Sequence, residues 1–506
     1  MAINPTNEPK TRSSNAKSMV ETEAMHRETE AVHGPADDLA GAWRARAGAA
    51  LSGEISAPGD KSMSHRAILL GAMARGETRI TGLLDGDDVL RTAAAMRAFG
   101  VTVERQIAAD QIEKKAMGGE WRVVGAPWRL PQKAVYFGNS GTGCRLVIGA
   151  AAGRFANGDY STEGGIIFEG DQSLRGRPMA RILAPLRAMG ARIDSPDNKL
   201  PITLMVPRSS QGEKASQGEK ALKGIEYTLP VPSAQVKSAI LLAGLGAAGD
   251  TIIHEPVISR DHTERMLIDF GADIRVENDG TGRIITLKAD QSLTATNVDV
   301  PGDPSSAAFL VAAALIAPGS KILIKNVLIN PLRAGVFDTL KEMGARISFE
   351  NERSAGGEPV ADIRAQYTKS MRGIAVPASR AASMIDEYPI LAVVAAFASG
   401  DTYMPGIEEL RVKETDRIDA TQALLRVNGV QSDAGADWLR VMGKGPSVAG
   451  GGSVATHHDH RIAMSALVLG SASEKPVEID DAAMIATSFP NFFHLMTTLG
   501  ASFERI

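Results

Sequence analysis

The chain has 506 residues, 44% of them hydrophobic and 23% charged, which is enough for two or three domains with cores of their own. Its formal net charge of −4 argues against a protein built to coat nucleic acid or an anionic membrane, so a site for anions has to come from local clustering. One cysteine, Cys144, excludes an intrachain disulfide framework and a four-cysteine zinc site, and no apolar run approaches the roughly 20 residues of a bilayer span.

Residues 1–48 lack hydrophobic periodicity and mix acidic with basic side chains, so they are expected to be a disordered extension. They also lack the apolar stretch of a signal peptide, and the reducing compartment suited to a lone thiol is the cytoplasm. After them, Pro58-Gly59-Asp60-Lys61-Ser62-Met63-Ser64-His65-Arg66 runs into an apolar helix, Ala67 to Ala74. Lys61 and Arg66 flank a helix start, where free N–H groups and positive partial charge suit a phosphate. A nucleotide-binding P-loop is excluded, because that pattern needs glycine directly before the lysine and Asp60 stands there.

Six segments then end alike, in an amphipathic helix, a hydrophobic residue or Asn, a glycine, a small residue and a short strand. Their glycines are Gly100, Gly190, Gly271, Gly344, Gly429 and Gly500, 71 to 90 residues apart, which makes the chain a sixfold repeat. Each unit also holds an earlier, more apolar helix with a polar start. Those starts are the Lys61 motif, Asn139-Ser140-Gly141-Thr142, Ser233-Ala234-Gln235, Asp303-Pro304-Ser305, Ile385-Asp386-Glu387 and Asp459-His460-Arg461. The unit reads as strand, helix, strand, helix, strand, strand.

An α/β chain of two domains, each of three βαβαββ units, would bury these helices in parallel and aim their N-termini at a cleft between the domains. The expected boundaries are 61–301 for one domain and 49–60 with 302–506 for the other. The repeated Gln211 to Lys220 tract and residues 351–359, rich in Gly, Glu and Arg, are expected to be exposed loops.

The Lys61 motif, Gly138-Asn139-Ser140-Gly141-Thr142, Arg411-Val412-Lys413-Glu414-Thr415-Asp416-Arg417, and Asp459-His460-Arg461 with Met464 resemble, in order, the signatures of the 5-enolpyruvylshikimate-3-phosphate synthases. The resemblance runs from about residue 50 to the end. It implies transfer of the enolpyruvyl group of phosphoenolpyruvate to shikimate 3-phosphate, with release of phosphate and no cofactor or metal. It places phosphoshikimate on Lys61, Ser62, Arg66, Ser233, Ala234, Gln235 and Arg260, with Asp386 and Lys413 near the ring hydroxyls. Phosphoenolpyruvate falls on Lys61, Asn139, Gly141, Arg177, Gln235, Arg417, His460 and Arg461. Glu414 would deliver a proton to carbon and Asp386 would take the hydroxyl proton, with Lys61 assisting at the leaving phosphate; carboxylates among cations have depressed pKa values, so burial in the closed state would have to raise that of Glu414 for it to act as an acid.

The same residues admit plainer readings. Glu414 and Arg417 are spaced as a helix-surface ion pair, Asp386 and Glu387 as acids at a helix start, and Arg175, Arg177 and Arg181 as a solvated stripe. His457, His458 and His460 lack a partner motif for a metal, and Cys144 reads as core. Thr487 stands where many family members carry a lysine, which removes one cation from the phosphoenolpyruvate side, and Gly141 stands where herbicide-insensitive members carry alanine, which implies competition by glyphosate. A UDP-N-acetylglucosamine enolpyruvyl transferase shares the expected fold but usually carries a cysteine on a mobile loop over the site; a non-catalytic anion binder of this fold is the remaining alternative. The expected partners are small-molecule substrates only, bound by a monomer with no contact to nucleic acid or membrane.

Overall fold

The computed structural model describes residues 39–106, 119–155, 164–206, 222–289 and 291–506. Six inner helices organise it: α1 (Lys61–Met73), α2 (Gly141–Phe155), α3 (Ala234–Gly244), α4 (Pro304–Ile316), α5 (Tyr388–Ala396) and α6 (His460–Gly470). Apolar residues on every face leave them no solvent side, and they are buried almost throughout. Polar side chains close several of their starts: Asp60 accepts from Met63 N–H at 2.8 Å, Asp303 from Ser305 N–H at 2.7 Å and Asp459 from Arg461 N–H at 2.8 Å. The six repeat glycines all adopt positive φ, between 79° and 112°, as left-handed residues that end the outer helices and turn the chain into a strand.

Each unit forms its own small sheet. In the third, Glu226–Thr228 runs parallel to Thr251–Glu255, which is antiparallel to Gly282–Leu287, and that strand is antiparallel to Ile274–Asp279. Five sheets have four strands and one has three among the described residues; in the latter, an isolated parallel bridge from Ala375 to Tyr403 lies where the edge strand stands elsewhere.

The chain crosses between its halves twice, and the strand before each crossing pairs within the half it closes. Ser52–Ser56 pairs in parallel with Lys321–Leu328, and Val298–Asp299 pairs in parallel with Glu77–Thr81. The crossings are tied where Asp60 N–H donates to Pro301 O and Asp303 N–H to Pro58 O, each at 2.7 Å. One hydrophobic core is built around α1, α2 and α3, and a second around α4, α5 and α6.

Two expectations change. The extension expected over 1–48 is overturned at its end: Trp43–Arg46 is a strand held between Val477–Ile479 and Ser502–Arg505, filling the sixth sheet. Alternation of Trp43, Ala45 and two arginines is too short a signal to stand out beside a polar tail. Residues 351–359 are not a loop but the distal part of a hairpin, Arg346–Ala355 with Glu358–Gln366, and Glu358 is fully buried. The Gln211 to Lys220 tract and residues 1–38 lie outside the described residues.

Candidate active site

Between the two cores lies a cavity of about 320 Å³, lined by residues from the start of every inner helix. Lys61 and Ser62 come from α1, Gly141 and Thr142 from α2, Ala234 and Gln235 from α3, and the cap Asp303 from α4. Asp386 stands two residues before α5, and His460 and Arg461 open α6. All sixteen residues expected at the site line this one cavity. Ten lysine and arginine side chains and six carboxylates line it, an excess of four positive charges in a chain that is acidic overall. Oriented helix starts and cations in a partly dry cavity hold anions far better than the same groups would in water.

The two carboxylates singled out in the sequence sit in cages of cations. Asp386 meets Arg260 Nη2 at 2.9 Å, Lys413 Nζ at 3.2 Å and Arg417 Nη1 at 3.3 Å, while its backbone carbonyl accepts from Arg461 at 2.8 Å. Burial pushes the Asp386 carboxyl up, but Lys413, Arg461, Arg260 and Arg417 pull harder, leaving it well below the usual carboxylate range. Glu414 meets Arg417 Nη2 at 2.5 Å and Arg177 Nη1 at 3.7 Å. Here too burial acts upward, and Arg417, Arg177, His460 and Lys61 overcome it, so the net shift is strongly downward. The depression expected for a carboxylate among cations is thus what the geometry gives Glu414, and its neighbours favour the ionised form. Glu414 and Arg417 do form the pair that their spacing suggested, yet Arg417 is 1% exposed and the pair is no surface ornament.

Other expected residues are placed with distinct degrees of freedom. Arg177 donates to Asn139 Oδ1, and Gln235 bridges Arg145 Nη1 at 2.8 Å and Thr142 Oγ1 at 2.9 Å. Arg66 lines the cavity but spends its donors on Thr263 Oγ1, Ser62 O and Ser238 Oγ at 2.6, 2.9 and 2.8 Å, so it braces α1 against its neighbours. His460 is buried with Nε2 unpartnered among the described residues, and burial followed by Lys61 and Arg461 holds its pKa well below the ordinary histidine value. Cys144 is core, its thiol pushed up to about 12 by burial.

Sequence reading passed over four residues. Asp88 holds Lys61 Nζ at 3.0 Å; one of two acids in a helix's first turn carries no more sequence signal than ordinary dipole compensation. Arg145 and Arg333 line the cavity from positions one turn inside α2 and before an outer helix, and neither carries a local signal. Asp459 caps α6 and also grips Arg417 Nε at 2.8 Å, so one carboxylate fixes two elements of the site. Arg181, set aside as solvated, reaches across the cavity mouth to Glu409 at 2.5 Å. Thr487 does not line the cavity; its hydroxyl donates to Met484 O at 2.7 Å.

Two triply repeated α/β halves thus pool six helix starts around a cation-rich pocket. Residues 45–496 match the profile of the EPSP synthase family, described as 3-phosphoshikimate 1-carboxyvinyltransferase. Relatives of that name from Roseobacter denitrificans and Bradyrhizobium diazoefficiens are each 52% identical, over 90% and 91% of this chain and 96% and 93% of their own. A solved EPSP synthase from Acinetobacter baumannii is 40% identical with a TM-score of 0.77, covering 92% of this chain and 99% of that one. The chain belongs to the EPSP synthase family.

Proposed function

We infer that the chain transfers the enolpyruvyl group of phosphoenolpyruvate to the 5-hydroxyl of shikimate 3-phosphate and releases inorganic phosphate, a step of aromatic amino acid biosynthesis. The observation that carries this reading is the pairing of two caged carboxylates, Asp386 and Glu414, with ten cations in one pocket between the halves. Both substrates are polyanions, and both would trade water for fixed cations and helix starts.

In the addition step a proton joins the methylene carbon of phosphoenolpyruvate, and the 5-hydroxyl oxygen bonds to its C2 as that hydroxyl loses its proton. In the elimination step the C2–O bond to phosphate breaks and the new methyl group returns a proton. Glu414 serves as the acid at carbon and Asp386 as the base at the hydroxyl, with the Lys61 ammonium beside the departing phosphate. Phosphoshikimate is held by Lys61, Ser62, Arg66, Ser233, Ala234, Gln235, Arg260, Asp386 and Lys413, and phosphoenolpyruvate by Lys61, Asn139, Gly141, Arg177, Gln235, Arg417, His460 and Arg461. Their convergence on one cavity supports a shared site for the two substrates.

The two domains in this reading are residues 61–301 and residues 49–60 with 302–506, the latter joined by the strand Trp43–Arg46. In this reading the chain acts as a monomer on small-molecule substrates. The single buried thiol suits the cytoplasm, which we assign as its compartment. The test is phosphate release with purified protein: it should require both substrates together, and UDP-N-acetylglucosamine in place of phosphoshikimate should give none. Release with either substrate alone, or none with both, refutes the assignment.

A further inference from the structure

Arg333 belongs to no motif, yet its guanidinium joins three inner-helix starts and both halves of the chain. It is 3% exposed; Nη2 lies 3.0 Å from Asp303 Oδ1 and also donates to Ser305 Oγ, and Nη1 lies 3.2 Å from Glu387 Oε1. Its Nε faces Asp60 Oδ2 at 3.8 Å, and both atoms lack a hydrogen-bond partner among the described residues. Asp60 caps α1, Asp303 caps α4 and Glu387 directly precedes α5. Three buried carboxylates without a cation between them would repel one another and drive at least one to take a proton.

Two of these contacts end one residue from the chemistry. Asp60 is followed by Lys61, whose own N–H lies 3.4 Å from Asp303 Oδ2. Glu387 follows Asp386 and is also met at 3.4 Å by Arg461, which donates to the Asp386 carbonyl. Asp60 is the last residue before the half 61–301 and caps its first inner helix, α1, whereas Arg333, Asp303 and Glu387 belong to the half built around α4 and α5. A planar fork with separate nitrogens for separate carboxylates can hold this geometry; a single ammonium cannot serve all three directions.

We propose that Arg333 is a positioning residue that keeps Lys61 and Asp386 in register across the crossing between the two halves, acting through Asp60 and Glu387. This rests on the reading of Lys61 and Asp386 as substrate-handling groups. The Arg333→Lys enzyme retains a cation and should fold, with kcat down about 100-fold, as expected for misplacement near 1 Å, while each KM changes much less. A merely structural role would add its loss to any other, whereas a residue acting through Asp386 should cost little more once Asp386 is gone.

The experiment is therefore a cycle of wild type, Arg333→Lys, Asp386→Asn and the double variant, read as kcat and both KM values in phosphate release. Asp60→Asn keeps a capping side chain and loses the charge that faces Arg333; it replaces Arg333→Lys in the cycle if that protein does not fold. Non-additive loss supports the proposal. Wild-type kcat in the first variant, or fully additive losses, overturns it. Wild type inactive with both substrates, or Asp386→Asn fully active, would instead overturn the functional reading beneath it.

Discussion

Arg260 and Asp386 meet at 2.9 Å across the gap between the two cores, each from a different half of the chain. Arg177 with Glu414 and Arg181 with Glu409 repeat the arrangement nearer α2 and at the cavity mouth. The pocket thus satisfies its own cations with carboxylates that the chemistry also needs, and an anionic substrate has to displace or share them. Asp386→Asn leaves the fold and removes the base, so kcat should drop about 10²- to 10⁴-fold. Steady-state phosphate release with both substrates saturating decides it; a loss of less than tenfold would remove Asp386 from the acid–base pair.

Glu414 is held ionised by Arg417, Arg177, His460 and Lys61 against the opposing effect of its burial. Phosphoenolpyruvate brings negative charge to the same cations, so in the complex burial has less to oppose it and the Glu414 pKa rises. An acid is lost as pH passes its pKa, and kcat reports the complex whereas kcat/KM reports the free enzyme. The alkaline limb governed by Glu414 should therefore lie at higher pH in kcat than in kcat/KM, and Glu414→Gln should abolish it. Coincident limbs in the two profiles would contradict this account.

His65 and His460 are buried, and burial first, then Lys61 with Arg66 or Arg461, holds both well below their ordinary pKa. Near pH 6 and below, the unfolded chain takes up protons at these imidazoles, with unfolded values of about 6.5, and the folded chain does not. Stability should then fall as pH drops below about 6.5, followed by a steeper loss below about 4 when depressed carboxylates such as Asp386 must protonate. Calorimetric Tm values between pH 8 and pH 4 test the sign. A Tm that stays level or rises from pH 7.5 to pH 5 would be inconsistent with two neutral buried histidines.

Periodicity made the sixfold repeat legible because one glycine per unit must adopt positive φ, and each does. The polar starts of the inner helices were legible for the same local reason, and they fall on one cavity because parallel packing leaves them no other place. What stayed hidden depends on pairing across long separations. Asp88 acquires meaning only from Lys61, Asp459 only from Arg417, and Glu358 only from His262 of the other half, at 2.7 Å, and Asn330 of its own, at 2.8 Å. The strand Trp43–Arg46 is likewise defined by partners more than 400 residues away. For Glu414 the sequence shows that burial and cations act in opposite directions, and the distances decide that the cations win.

Gly141 faces two arginines: a Cβ there would lie 3.0 Å from both Arg145 Nη1 and Arg177 Nη1. Both neighbours are the far ends of flexible side chains, so Gly141→Ala should fold and shift those groups by a few tenths of an ångström. Glyphosate should compete with phosphoenolpyruvate in the unaltered enzyme, and Gly141→Ala should weaken that inhibition by tenfold or more, about 1.4 kcal/mol, with a smaller rise in the phosphoenolpyruvate KM. Inhibition constants measured at several phosphoenolpyruvate concentrations test this; equal constants for the two proteins would refute it.

Helices α2 and α3 approach through bare backbone. A Cβ on Gly149 would lie 2.4 Å from Ala239 O and 2.7 Å from Ala239 Cα, and one on Gly153 would lie 2.6 Å from Ala243 O. Backbone cannot rotate aside as a side chain does, so Gly149→Ala has to push the two helices apart, at about 1–3 kcal/mol. In a half of this size that corresponds to a Tm lower by roughly 2–12 °C. Because Gly141 and Ala234 begin these two helices, the separation also reaches the cavity, and KM values should rise with the fall in Tm. Gly176, where an added Cβ meets nothing within 4 Å, supplies the control: Gly176→Ala should leave Tm within about 1 °C. Scanning calorimetry on the three proteins settles the point, and a Gly149→Ala protein as stable as the original would mean that the helices are not held by this contact.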